Sequence, residues 1–333
     1  MDPDAEIAFE FVPVIRQYKS GRVERLIPCN PVPPSVDAAT GVTSRDVTID
    51  AATGVWARLY LPDLSKCPPG GRLPVVIYFH GGGLVVGSAA EASEHAFLNR
   101  LAARAGALVV SVEYRLAPEH PVPACYDDAW AAVRWAAASA GPADPWVRDH
   151  ADAARVFVLG FSAGGNVAHN VTLRAGLEEE QGDDGGARVK GMALLHPYFL
   201  AATKAEGEVK VPWVREKLEE LWAFACGGCG GRDAAGRGPD DPRVNPVAEG
   251  APSLRRLGCD RVLVCTAEDE LEVRGKAYYE GLLASGWEKG DVELLDSAGE
   301  EHEFHLHRPD SPKALGLMDR LVAFIQEKQE NSQ

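Results

Sequence analysis

Eight short apolar runs rich in β-branched residues recur along the chain: Val47–Ile49, Val55–Leu61, Pro74–Phe79, Leu108–Tyr114, Val156–Phe161, Met192–Leu195, Val262–Thr266 and Val292–Leu295. Each has the length of a strand. The first two lie on either side of Gly54, which predicts a hairpin. From Pro74 onward the runs alternate with segments whose apolar residues recur at helical spacing. These are Glu91–Arg104, Ala124–Ala138, Ala163–Ala175, Lys276–Leu283 and Ala314–Gln326. Apolar strands alternating with helices predict an α/β protein: a mostly parallel eight-stranded sheet, covered on both faces by helices.

Two stretches interrupt this alternation. Residues 1–45 precede the first run and contain Pro28, Pro31, Pro33 and Pro34. Residues 200–250 hold a helical pattern around Trp213–Ala225 and then a Gly-rich loop ending in Asp240-Asp241-Pro242-Arg243. The expectation is one domain over residues 1–333, with a helical cap formed by 1–45 and part of 200–250. The runs Glu178–Asp184 and Gly227–Gly238 read as exposed loops.

Charge narrows the partners. With 49 acidic against 34 basic residues the net charge is −15, which disfavours binding nucleic acid or an anionic membrane through bulk electrostatics. The N-terminus lacks a basic segment followed by an apolar core, so it does not read as a secretory signal, and the apolar runs are too short to span a membrane. Seven cysteines, an odd number, then read as reduced thiols in the cytoplasm. Cys226-Gly-Gly-Cys229 has no second pair at metal spacing and reads as loop cysteines. Neither a metal nor an organic cofactor is expected.

The sharpest chemical signal is Gly160-Phe161-Ser162-Ala163-Gly164, placed between a strand and an Ala-rich helix. A sharp strand-to-helix turn needs small neighbours and lifts the serine hydroxyl above the sheet at a helix N-terminus. A second signal, His80-Gly81-Gly82-Gly83, follows the run Pro74–Phe79. Its backbone N–H groups, with that of Ala163, can hold a developing oxyanion. A serine nucleophile needs a base and an acid, in the order Ser, acid, His. His302 follows the last strand, with His305 and His307 close behind, and is the preferred base. Asp269 and Glu270 both follow the run Val262–Thr266, and either residue type could orient it.

On these motifs the chain resembles the plant carboxylesterases, within the hormone-sensitive-lipase-like branch of the α/β-hydrolases. The resemblance extends to Tyr114-Arg115-Leu116-Ala117-Pro118-Glu119-His120-Pro121, to Asn166 in the serine elbow, to His196-Pro197-Tyr198 and to Asp241-Pro242-Arg243-Val244-Asn245-Pro246. It implies an α/β-hydrolase fold, Ser162 as nucleophile, His302 as base, Gly82, Gly83 and Ala163 as oxyanion donors, and an N-terminal segment over the acyl pocket. Two positions depart from the family pattern. Phe161 stands where an Asp is usual. The acid region reaches Arg274-Gly275 one residue early, so that counting from the strand selects Glu270 and counting back from Arg274 selects Asp269. Asp269 is preferred.

The resemblance implies a serine carboxylesterase acting on small to medium esters, monomeric or homodimeric. Two other functions occur on similar chains: gibberellin receptors, which lack the catalytic histidine, and 2-hydroxyisoflavanone dehydratases, which carry Thr at the serine position. The aromatic residues Trp213, Trp222 and Phe224 read as packing more than as pocket lining, and Asp240, Asp241 and Arg243 as a network that fixes a loop.

Overall fold

A computed structural model describes residues 5–68, 70–137, 144–182, 188–208, 210–228 and 238–326. The chain opens with β1 (Ile7–Phe11), β2 (Ile15–Tyr18) and β3 (Val23–Arg25), which pair antiparallel in that order. The N-terminal part of the expected helical cap is thus built of strands. Aromatic and β-branched residues cut by Pro13 and Gly21 leave stretches too short for a helix, and such residues favour paired strands. The main sheet follows: β4 (Thr43–Asp50), β5 (Val55–Leu61), β6 (Leu73–Phe79), β7 (Leu108–Glu113), β8 (Ala151–Phe161), β9 (Gly191–Leu195), β10 (Val262–Ala267) and β11 (Val292–Ser297).

The strand order is β11-β10-β9-β8-β6-β7-β5-β4. Strands β6 to β11 run parallel to their neighbours, while β4 and β5 form the expected hairpin, with Gly54 at φ 78°, and β5 meets β7 antiparallel. The helices are α1 (Ala92–Ala105), α2 (Ala124–Ala137), α3 (Pro145–His150), α4 (Ala163–Glu180), α5 (Pro212–Ala225), α6 (Glu272–Ala284), α7 (Phe304–His307) and α8 (Pro312–Gln326).

Successive side chains of a strand point to opposite faces, so a run buried throughout needs a core on each side. In β6 every residue from Leu73 to Phe79 is buried. Val75, Ile77 and Phe79 join one core with Val133 of α2, Val167 and Val171 of α4 and Leu282 of α6. Val76 and Tyr78 join the other with Leu98 and Leu101 of α1 and Leu321 and Phe324 of α8. The same parity splits β8, where Val156 and Val158 face the first core and Phe157 and Leu159 the second. Strand β8 therefore lies near the middle of the sheet with a helix layer on either side, and the chain leaves it through Ser162.

Candidate active site

Three non-glycine residues among those described have positive φ: Leu84 at 68°, Ser162 at 54° and His196 at 46°. All three follow strands at one end of the sheet, after β6, β8 and β9. Such conformations cost about 1–3 kcal/mol each and cluster where a site requires them. The turn at Ser162 depends on its glycines. A Cβ at Gly160 would lie 2.0 Å from the Gly164 carbonyl oxygen, and one at Gly164 would lie 2.0 Å from that of Phe79. With both absent, Ser162 N–H donates to the Leu195 carbonyl at 2.8 Å, and α4 starts at Ala163.

Ser162 Oγ lies 2.8 Å from His302 Nε2, and His302 Nδ1 lies 2.5 Å from Asp269 Oδ2. Read as Oγ–H donating to Nε2 and Nδ1–H donating to the carboxylate, this is a continuous relay from serine to acid. Burial alone would raise the Asp269 carboxyl, but the bond to His302 and the nearby imidazoles hold it below its ordinary value. Glu270, the alternative acid, points elsewhere: its carboxylate accepts the Val211 N–H at 2.9 Å, ahead of α5. The count back from Arg274-Gly275 thus locates the residue beside His302. Arg274 is itself held by Glu208, which also pairs with the buried Arg215 of α5 and so ties α5 to α6.

The glycine loop divides into two parts. Gly82 and Gly83, at φ 110° and 62°, line the cavity that holds Ser162 and His302. Among the described residues no protein acceptor takes the N–H of Gly82, Gly83 or Ala163. Gly81, also an expected donor, is not among the residues lining that cavity. Its carbonyl accepts from His80 Nδ1 at 2.8 Å.

The cavity measures about 290 Å³ and is mostly apolar. Phe11, Val14 and Ile27 line it from the N-terminal segment, and Val214, Leu218 and Leu221 from α5. Of the three aromatic residues read as packing, Trp213 is exposed and Trp222 and Phe224 are buried, and none lines the cavity. Asp241 and Arg243 pair at the loop, and Asn166 Nδ2 donates to the Arg243 carbonyl at 2.7 Å, which links that network to the serine elbow. Cys226 is buried, and Cys229 lies outside the described residues, as do 183–184 and 229–237 of the two polar runs.

Phe161 fills the space of the usual Asp with a ring that meets His305 edge-on at 4.8 Å and lies 5.1 Å from His302. His305 is buried with neither ring nitrogen hydrogen-bonded, and burial, reinforced by the neighbouring histidines, keeps it well below the usual imidazole range. Sequence reasoning assigned no role to His196. Its Nδ1 lies 2.7 Å from the His302 carbonyl oxygen, so it braces the backbone at His302, and burial followed by the nearby His302 lowers it to about 4. His196, Asp269 and His302 each offer a donor atom within 4.8 Å of the others, a spacing a cation could bridge, but the His302–Asp269 hydrogen bond already joins two of them.

Residues 76–306 match the family model of the alpha/beta hydrolase fold. The chain is 42% identical over 325 residues to tuliposide A-converting enzyme 1 of Tulipa gesneriana, covering 97% of this chain and 79% of that one. It is 37% identical over 321 residues to probable carboxylesterase 2 of Arabidopsis thaliana, covering 96% of each. With 2-hydroxyisoflavanone dehydratase of Glycyrrhiza echinata it shares 39% over 328 residues, 96% of each. A hyperthermophilic esterase from Pyrobaculum calidifontis superposes with a TM-score of 0.66 at 28% identity, over 85% of both chains. The tulip enzyme is chloroplastic and a related one amyloplastic, which overturns the cytoplasmic expectation. A compartment is specified by receptor-read addresses, to which composition and cysteine count are blind. Among the described residues no helix is long and apolar enough to cross a membrane. Fold, serine elbow and matched span agree: the chain belongs to the α/β-hydrolase fold family, in its hormone-sensitive-lipase-like branch with the plant carboxylesterases.

Proposed function

We propose that this chain is a serine carboxylesterase that hydrolyses small to medium carboxylic esters through an acyl-enzyme. The observation that carries the reading is His302 bridging Ser162 at 2.8 Å and Asp269 at 2.5 Å at the floor of an apolar cavity. As Ser162 Oγ attacks the ester carbonyl carbon, His302 Nε2 takes its proton and Asp269 stabilises the imidazolium. The carbonyl electron pair moves onto oxygen, within reach of the N–H groups of Gly82, Gly83 and Ala163. Each such donor is worth on the order of 10²–10³ in rate. Collapse breaks the C–O bond, and the alcohol leaves with the proton from His302. A water deprotonated by His302 then attacks the acyl-serine and releases the acid.

Gly81 is left out of this donor set because it does not line the cavity that holds Ser162 and His302. The cap in this reading is mixed, with the N-terminal strands and α5 closing over the acyl group. Esters related to the tuliposide A named for the tulip relative belong in the first substrate panel.

The dehydratase relative supports a second reading, elimination of water from a 2-hydroxyisoflavanone at the same cavity. One experiment separates the two. Purified protein is assayed with p-nitrophenyl acetate and butyrate, labelled with a fluorophosphonate, and offered the hydroxyisoflavanone. Ester turnover with labelling at Ser162, both abolished by Ser162→Ala, is the expected result. Dehydration without labelling would replace the esterase reading.

A further inference from the structure

His196 follows β9, and the hydrolytic scheme gives it no part. Two of its features are costly. Its φ is 46°, a conformation that a residue with a Cβ holds only under constraint. Its side chain is buried, and Nε2 has no hydrogen-bond partner among the described residues. A strained residue with an unpaired buried nitrogen persists only where its surroundings require it.

The turn after β9 reaches all three arms of the triad. The Leu195 carbonyl accepts the Ser162 N–H at 2.8 Å, and the Tyr198 N–H donates to the Ser162 carbonyl at 2.9 Å, so the nucleophile is gripped on both sides of its backbone. The His196 N–H donates to the Cys265 carbonyl at 2.8 Å, which fixes the turn to β10, the strand that leads to Asp269. Pro197 fits against α4, where a Cβ at Gly165 would lie 3.1 Å from it. His302 is the arm that belongs to no strand or helix; it lies in the loop between β11 and α7. Upstream, that loop is tied at Glu300, whose carbonyl accepts the Glu268 N–H at 2.9 Å. At His302 itself the tie is the 2.7 Å contact between its carbonyl oxygen and His196 Nδ1. A carbonyl only accepts, so Nδ1 carries the proton, and a ring kept neutral by burial has none left for Nε2.

We propose that His196 is the positioning residue of the catalytic base: its Nδ1–H holds the His302 carbonyl and fixes the loop between β11 and α7 to the same turn that grips Ser162 and β10. The inference rests on the esterase reading. His196 makes no hydrogen bond to a reacting atom. It keeps His302 Nε2 within reach of Ser162 Oγ, where a misplacement of about 1 Å can cost on the order of 10²-fold in rate.

The test compares wild type with His196→Asn, His196→Leu and His196→Gln in three measurements: kinetics on p-nitrophenyl butyrate, the rate of fluorophosphonate labelling at Ser162, and amide exchange over residues 299–304. Asparagine tolerates positive φ and its amide nitrogen stands where Nδ1 does, so His196→Asn should stay within about threefold of wild type throughout. Leucine fills the space of the ring but donates nothing. In His196→Leu, kcat and the labelling rate should fall together by ~10-fold or more, with KM within about twofold and faster exchange at 299–304. His196→Gln, whose amide extends to the place of Nε2 instead, should lose activity in the same way and keeps the test decisive if the leucine variant does not fold. Were packing against Phe161 and Phe304 the role of the ring, leucine would retain activity and asparagine would lose it. That order, an unchanged kcat in both the leucine and glutamine variants, or a change confined to KM overturns the inference while leaving the esterase reading intact. A wild type that neither turns over ester nor labels at Ser162 overturns both.

Discussion

Phe9 of β1 lies flat on Phe224 of α5, with ring centroids 4.0 Å apart and planes within 10°. This stack joins the two parts of the chain that stand outside the main sheet, residues otherwise separated by most of the hydrolase core. An aromatic pair of this kind contributes about 0.5–1.5 kcal/mol beyond the area it buries. Arg25 adds a second tie, with Nε donating to the Val85 carbonyl at 2.7 Å and its other nitrogens pairing with Glu119. The N-terminal strands are thus fastened to both α5 and the loop that follows the glycines.

Phe9→Ala should loosen those strands without unfolding the sheet. Faster amide exchange over residues 5–27 is expected, together with a KM for short esters that rises more than kcat falls. Unaltered exchange in that segment would mean that the Arg25 contacts alone hold it.

Asp269 and Glu270 are neighbours with different partners, and their isosteric variants should separate cleanly. Asp269→Asn leaves His302 without an anionic partner and in the wrong tautomer, and kcat should fall on the order of 10⁴-fold. Glu270→Gln affects only the backbone N–H groups of Lys210 and Val211 and should stay within about threefold of wild type. Steady-state kinetics on one chromogenic ester decides the matter. A larger loss in the second variant would reverse the assignment.

Stability should carry the signature of Glu94. Burial of Glu94 on α1 pushes its carboxyl up to about 7 from an ordinary 4.5, with Glu303 and Glu91 acting in the same direction and the Tyr78 hydroxyl, which donates to it at 2.6 Å, opposing. Between those values the folded chain holds a proton that the unfolded chain has released. The contribution is therefore fully present below about pH 4.5 and is lost as the pH rises through about 7. Glu94→Gln removes this dependence. Its urea midpoint relative to wild type should rise from about pH 5 to about pH 8, and a flat or falling difference would refute the sign.

Two glycines should respond oppositely to an added methyl group. Gly316 lies within α8, where a Cβ meets nothing within 4 Å, and a helix-interior glycine costs about 0.5–1 kcal/mol relative to alanine. Gly316→Ala should raise Tm by about 2 °C. Gly164→Ala would drive a Cβ to 2.0 Å from the Phe79 carbonyl oxygen and should prevent accumulation of soluble protein. Thermal melts and soluble yield report the two outcomes.

The local features of this protein were legible in its sequence because they arise from local physics. Alternating strand and helix periods identified all eight strands of the main sheet, and the glycines around Ser162 marked an elbow that tolerates no side chain there. Where distant segments meet was not legible. The choice between Asp269 and Glu270 depended on how the chain after β10 turns toward His302, a difference of one residue that periodicity does not encode. The strands of the N-terminal segment were not legible, because short amphipathic pieces take their conformation from the surfaces they pair with. Glu94 and Tyr78 were hidden for the same reason: sixteen residues apart in the sequence, they become partners only once α1 packs on β6 and buries both.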